Sequence, residues 1–292
     1  MKHRFPSLLA LLCLLAFPVI LPAQTQPPAK PVVFVSIPPQ AWLMRSLTGD
    51  RFDIRTLLPD NANPHTFEPT AKQLKTLSGA ALYVSQGGIP FEDNLLPKIT
   101  ALNPKLKTFA MSWGIAKRPA EHHHDHHHAG HHHTDDTDPH IWLAPGLFAG
   151  MASNTVHFLC ETFPDQRETW EAALPKTCEI IRTADRELRE KRAAATCDTW
   201  VIYHPAWDYL TDAYNLKALV IEQEGKAPSA RHLAEVLRAA QAAKAKTVMI
   251  GPQNNPRPAQ WIADQLGGRL VTVNPLQEDW PALMRQIRDL ME

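Results

Sequence analysis

The chain has 292 residues, with 30 basic and 30 acidic side chains balancing to a formal net charge of zero and 15 histidines besides. No basic excess is present to hold a nucleic acid or an anionic membrane surface, so both classes of partner are set aside. The length suits two lobes with cores, at the ~100 to 200 residues usual for a domain.

Residues 1 to 24, MKHRFPSLLALLCLLAFPVILPAQ, open with Lys2 and Arg4, run apolar from Leu8 to Leu21 and reach small Ala23. That run is shorter than the ~20 residues of a spanning helix, and it predicts a signal peptide over 1–23 and a periplasmic or secreted protein. Cys13 sits inside the run rather than after the cleavage point, which argues against a lipid anchor. Cys160, Cys178 and Cys197 form no C-x-x-C pair. In an oxidising compartment one disulfide plus one spare thiol is expected, with the pairing open, although a buried free cysteine is equally ordinary.

After a Pro/Gln linker, short β-branched runs alternate with amphipathic segments, the pattern of parallel βα units. The first half predicts strands at 32–37, 52–58, 81–85 and 106–110, with helices at 40–47, 70–77 and 91–102. The second half repeats this, with strands at 199–203, 216–221, 247–250 and 270–273 and helices at 207–213, 229–243, 259–266 and 280–291; Ser229 is the expected N-cap. Between them, residues 166–196 are rich in helix formers and charge and predict a connecting helix about 45 Å long at 1.5 Å per residue, with Pro175 kinking or dividing it. The fold class is therefore α/β: an N-terminal lobe over 24–165 and a C-terminal lobe over 197–292, each a mostly parallel sheet flanked by helices, joined by a long helix.

Ten of the histidines crowd into residues 121–140, EHHHDHHHAGHHHTDDTDPH. His122, His123, His124, His126, His127, His128, His131, His132 and His133 form a tract over 121–137, and such a density of imidazole binds zinc, copper or nickel. A solvated repeat expansion is the bland alternative. His140 differs, because it leads into the apolar IWLAP.

His65 lies in a Pro/Asn-rich loop after the 52–58 strand, and His204 ends the run TWVIYH. In open α/β sheets, ligands bind outside the carboxyl ends of the strands, where these histidines stand. Each alone reads as a structural histidine; three in both lobes beside a histidine tract point to a shared metal. His157 and His232 fall on predicted helices and read as structural.

The stretches NPHTFEPT (63–70), GGIPFEDNLLPKI (87–99), DPHIWLAP (138–145), YHPAWDYL (203–210), IEQEGKAPSARHL (221–233) and NPLQEDW (274–280) resemble, in order, the zinc- and manganese-specific solute-binding proteins of bacterial ABC transporters, the zinc branch above all. That resemblance implies two α/β lobes bridged by a long helix, one Zn²⁺ in the cleft bound by His65, His140 and His204, and a monomer that delivers its ion to a membrane permease with its ATPase. His204 stands where manganese-preferring relatives carry a carboxylate, and softer nitrogen favours zinc. The family's aspartate is replaced in Asn274-Pro275-Leu276; an amide oxygen is a poor zinc ligand, which leaves Asn274, Glu222, Glu224, water or a tract histidine as the fourth ligand. Glu68 reads equally well as a helix-start carboxylate.

Two other classes share these residues. Three histidines with an open position describe a hydrolytic zinc as well, but H-E-x-x-H and G-x-S-x-G are absent. A stand-alone zinc-buffering or adhesion protein differs only in lacking a permease. The expectation is a carrier and not an enzyme.

Overall fold

A computed structural model of the chain describes residues 29–119, 137–223 and 226–292. The expected signal peptide, the tract histidines and Glu224 lie outside these residues. In the first lobe β1 (Val32–Val35), α1 (Pro38–Thr48), β2 (Asp53–Thr56), α2 (Ala71–Ser78), β3 (Leu82–Ser85), α3 (Pro90–Leu102) and β4 (Lys107–Ala110) follow in turn, with α4 (Pro145–Thr162) after them. Its four strands are all parallel, in the order β2-β1-β3-β4. The second lobe runs β5 (Thr199–Ile202), α6 (Asp208–Ala213), β6 (Lys217–Val220), α7 (Ala230–Ala242), β7 (Thr247–Ile250), α8 (Pro256–Leu266), β8 (Arg269–Thr272) and α9 (Trp280–Leu290), reached through α5 (Arg167–Ala194). Its sheet is parallel in the equivalent order β6-β5-β7-β8. β3, β5 and β7 are buried along their whole length, which is why they read as continuous apolar runs rather than as alternation.

Local chemistry sets the helix starts. α1 opens on Pro38, whose missing N–H costs nothing in a first turn. The Ser229 hydroxyl accepts the His232 N–H at 3.2 Å as expected, and the Asp279 carboxylate caps α9 by accepting from Ala282 N at 3.0 Å. Pro175 does not divide α5, which runs as one 28-residue helix. Pro175 and Glu171, whose carbonyl a non-proline residue at 175 would pair with, are both exposed, while Trp170, Thr177, Ile181 and Leu188 hold the buried face.

The lobes share most of one core. An apolar cluster runs from Val33 and Phe34 through Phe148 and Trp170 to Trp280, Leu283 and Ile287, and only a smaller cluster around Val201, Ile221, Val248 and Ile262 belongs to the second lobe alone. α5 packs on α1 and α4 on one side and on α9 on the other. Trp280 of the second lobe stacks on Phe148 of the first with ring centroids 4.7 Å apart. Its indole N–H donates to the Trp142 carbonyl at 2.7 Å, and the Trp142 indole donates to the Pro275 carbonyl at 2.8 Å. Buried indole N–H groups need such partners, so the two hydrogen bonds fix the lobes to each other at the cleft floor.

Two expectations are corrected or sharpened here. Cys160, Cys178 and Cys197 are all free thiols, so the disulfide is not formed. Cys160 and Cys178 pack in the shared core, whereas Cys197 packs against the second-lobe core with its thiol directed at the Thr199 and Ala243 carbonyls. The segment GGIPFED serves the scaffold. Glu92, fully buried, accepts the Gln86 and Gly87 N–H groups at 2.6 and 2.7 Å and the Ser36 hydroxyl. Burial pushes its carboxyl up, and those donors oppose the push. Gly87 has φ +85°, and a Cβ there would stand 2.4 Å from the Ser112 hydroxyl, so only glycine fits. Gln86 then donates its side-chain N–H to the Pro139 carbonyl at 3.2 Å, which ties this loop to the segment carrying His140.

Candidate metal centre

Two of the three predicted histidines are presented by the same backbone device. In Asn63-Pro64-His65 the Asn63 side-chain oxygen accepts the His65 N–H at 2.9 Å; in Asp138-Pro139-His140 the Asp138 carboxylate accepts the His140 N–H, also at 2.9 Å. Each is an Asx turn closed around a proline whose φ is already restricted, so the following side chain is aimed at little entropic cost. The second turn is clamped further, because the Tyr209 hydroxyl of the other lobe donates to the Asp138 carbonyl at 2.8 Å while accepting the Arg118 N–H at 2.8 Å.

His204 arrives differently. The β5–β6 register pairs Ile202 with Val220, and carried two residues on it sets His204 beside Glu222. Glu222 N–H donates to the Tyr203 carbonyl at 2.9 Å, and both Glu222 oxygens lie near His204 Nδ1, at 3.1 and 3.2 Å. On the first-lobe side, His140 Nδ1 lies 2.6 Å from the Asp138 carboxylate.

The structure brings His65, His140 and His204 together, with one ring nitrogen of each within 4.8 Å of the others. Ring centroids are 5.2 Å apart for His65 and His204, 5.6 Å for His140 and His204, and 6.2 Å for His65 and His140. Tetrahedral zinc with bonds of about 2.0–2.1 Å sets neighbouring nitrogens roughly 3.3 Å apart, so a small inward movement of the rings closes the site. His204 Nε2 is buried without a hydrogen-bond partner, an orphan that a metal ion would satisfy. Burial holds the His140 imidazole below the ordinary histidine range against the pull of Asp138, which keeps it neutral and able to donate a lone pair. The triad opens into a cavity of about 510 Å³ whose walls include Trp142, Tyr203, Gln253 and Leu276.

The remaining predicted residues fall elsewhere. Asn274 heads another Asx turn, accepting Leu276 N–H at 3.0 Å, and it is Leu276 rather than Asn274 that lines the cavity. Glu222 lines it while holding His204. His232 donates its Nε2–H to the Val220 carbonyl at 2.9 Å and His157 lies beside Glu161 on the exposed face of α4, both structural as expected. Glu68 is exposed two residues before the Thr70 cap of α2. Asp138, Gln86 and Tyr209 were not singled out from sequence, although the Asx-Pro-His triplet that 138–140 shares with 63–65 was a visible signal for the first of them.

A family model for the periplasmic zinc-uptake complex component A, ZnuA, matches residues 33–292. The zinc-binding lipoprotein AdcA of Streptococcus pneumoniae R6 is 27% identical over 280 residues, 94% of this chain but only 55% of the relative, so the chain spans about half of that protein's length. The high-affinity zinc uptake system protein ZnuA of Bacillus subtilis is 25% identical over 246 residues, 82% of this chain and 76% of the relative. A crystal structure of ZnuA superposes with a TM-score of 0.82 at 30% identity, covering 89% of this chain and 97% of that one. A 138–173 deletion mutant of ZnuA with zinc bound gives 0.79 at 30% identity, with 89% and 95% covered.

Proposed function

Because the chain belongs to the family of periplasmic zinc-uptake components, we propose that it captures Zn²⁺ in the cleft between its lobes and delivers the ion to an ABC-type permease driven by its ATPase. His65, His140 and His204 are the ligands. The carrying observation is their convergence within 4.8 Å at the C-terminal ends of two sheets, with the buried His204 Nε2 unpaired. Three neutral nitrogens suit zinc over manganese, which prefers oxygen. The zinc-bound relative retains this fold at 30% identity, which supports the same cargo here.

In this reading residues 1–23 are a signal peptide removed on export, 24–165 and 197–292 are the lobes, 166–196 is the connecting helix, and the monomer works in the periplasm. The histidine tract gathers zinc weakly. Capture rather than hydrolysis is favoured because both carboxylates at the site, Asp138 and Glu222, are held against histidine rings, so neither is placed as a general base.

Chelator competition on protein lacking residues 121–136 tests the proposal. One tightly held zinc equivalent is expected, and His204→Ala is expected to abolish it. Retention of that equivalent in the variant, or its absence from the parent, would move the functional site into the tract.

A further inference from the structure

We infer that Asp138 and Glu222 are positioning residues of the cleft site: each carboxylate holds one ligand ring through Nδ1 so that Nε2 faces the ion, and neither oxygen pair binds the ion itself. The inference rests on the cleft reading above.

Ring chemistry supplies the first step. An ionised carboxylate only accepts hydrogen bonds, so a ring nitrogen beside one carries the proton and the opposite nitrogen keeps its lone pair. Asp138 lies 2.6 Å from His140 Nδ1 and Glu222 lies 3.1 and 3.2 Å from His204 Nδ1, which makes Nε2 the metal-binding atom of both rings. The buried, unpartnered His204 Nε2 is the atom this assignment leaves for an ion.

The carboxylates are themselves fixed. Asp138 is held by the His140 N–H at 2.9 Å, and Glu222 by its own N–H bond to Tyr203 next to a paired strand. Both Glu222 oxygens face the same ring nitrogen, so its carboxylate is committed to the histidine at the cavity wall. Their side chains are 9% and 11% exposed, so their charges are little screened. Three neutral imidazoles leave both charges of Zn²⁺ uncompensated in a part-buried site. Two carboxylates directly behind the ligands supply two negative charges without occupying the coordination sphere. With Asn274 committed to its own turn, we assign the fourth position to a solvent molecule. An ion held by three nitrogens and an exchangeable water has an opening through which a receiving site can attack.

The test reads the tautomers directly. Long-range ¹H–¹⁵N correlation spectra of the metal-free full chain near pH ~7.5, where histidine is largely neutral, should show His140 and His204 protonated on Nδ1; protonation on Nε2 overturns the inference without any variant. Asp138→Asn and Glu222→Gln, checked for native circular dichroism, should each lower zinc affinity by about 10- to 100-fold. With Co²⁺ in place of zinc, the visible absorption of Glu222→Gln should match the parent, because no ligand is lost. Parent-like zinc affinity in both variants, or a Co²⁺ spectrum altered by loss of an oxygen ligand, would sink the assignment. Failure of the parent to hold one tight equivalent would instead sink the cleft reading itself.

Discussion

Five Asx-Pro-X turns close alike, Asn103-Pro104-Lys105 and Asn255-Pro256-Arg257 among them, and three bring their last residue to the cavity: Asn63-Pro64-His65, Asp138-Pro139-His140 and Asn274-Pro275-Leu276, with hydrogen bonds of 2.9, 2.9 and 3.0 Å. Two of the turns deliver imidazole and the third delivers a leucine to the cavity wall. The histidines were legible from sequence because each follows a strand or opens an apolar run. Their carboxylate partners were not, because Glu222 meets His204 only through strand register across 18 residues and Asp138 bends back on its own chain. The pH response belongs to these residues. Protonated imidazole cannot coordinate, so zinc affinity should fall as pH drops through the histidine range near ~6.5 toward 5. The metal-free protein should also lose stability over that interval: burial lowers the folded pKa of His140, so the unfolded chain binds the proton first. Chelator competition and thermal melts at stepped pH measure the two effects, and equal zinc affinity at about pH 5 and 7.5 would refute a three-histidine site.

At the level of elements, the eight expected strands are all found; six fall a residue or two short of the apolar stretches at one or both ends, β7 has the expected bounds and β8 is shifted one residue toward the N-terminus. The excess residues, such as Ile37, Leu57, Leu58 and Tyr203, are buried just past the strand ends, where the chain turns toward the cleft. Hydrophobicity marks burial there rather than strand pairing, so the boundary could not be read from it. Pro175 illustrates the opposite limit. Proline opposes helix in isolation, but α5 is held by packing on α1, α4 and α9, and Pro175 itself is exposed. The helix still bears a cost there. Pro175→Ala should restore one backbone hydrogen bond and raise stability, by roughly 1–3 kcal/mol on helix-interior propensities. A urea midpoint that stays put or falls would mean that the proline is matched to a bend the packing requires.

Taken as a whole, the molecule combines two sheets of identical strand order with a core that does not respect the lobe boundary. Sequence foretold the repeated βα scheme, since periodicity is local. It gave no sign that Trp280, near the end of the chain, stacks on Phe148 and lies 5.9 Å from Trp42 in the first lobe, because that contact depends on how α9 packs along α5. Lobes joined by flexible linkers and polar interfaces open and close readily, whereas a large apolar interface resists it. Here the interface is aromatic, is crossed by two indole hydrogen bonds and is backed by one uninterrupted helix. Its rim carries the Arg45–Glu278 and Arg118–Asp212 ion pairs, both exposed enough to add little to its strength. Rigid-body closure would have to break the Trp142 and Trp280 bonds, so the proposed capture predicts that the ion enters and leaves by local movement of the rim, where His65 is exposed on its Asn/Pro loop while His140 is buried. Small-angle scattering of the metal-free and zinc-loaded protein should therefore superimpose. A smaller radius of gyration on loading would show that the aromatic interface slides, and the cleft would then work as a hinge rather than as a fixed socket with one movable ligand.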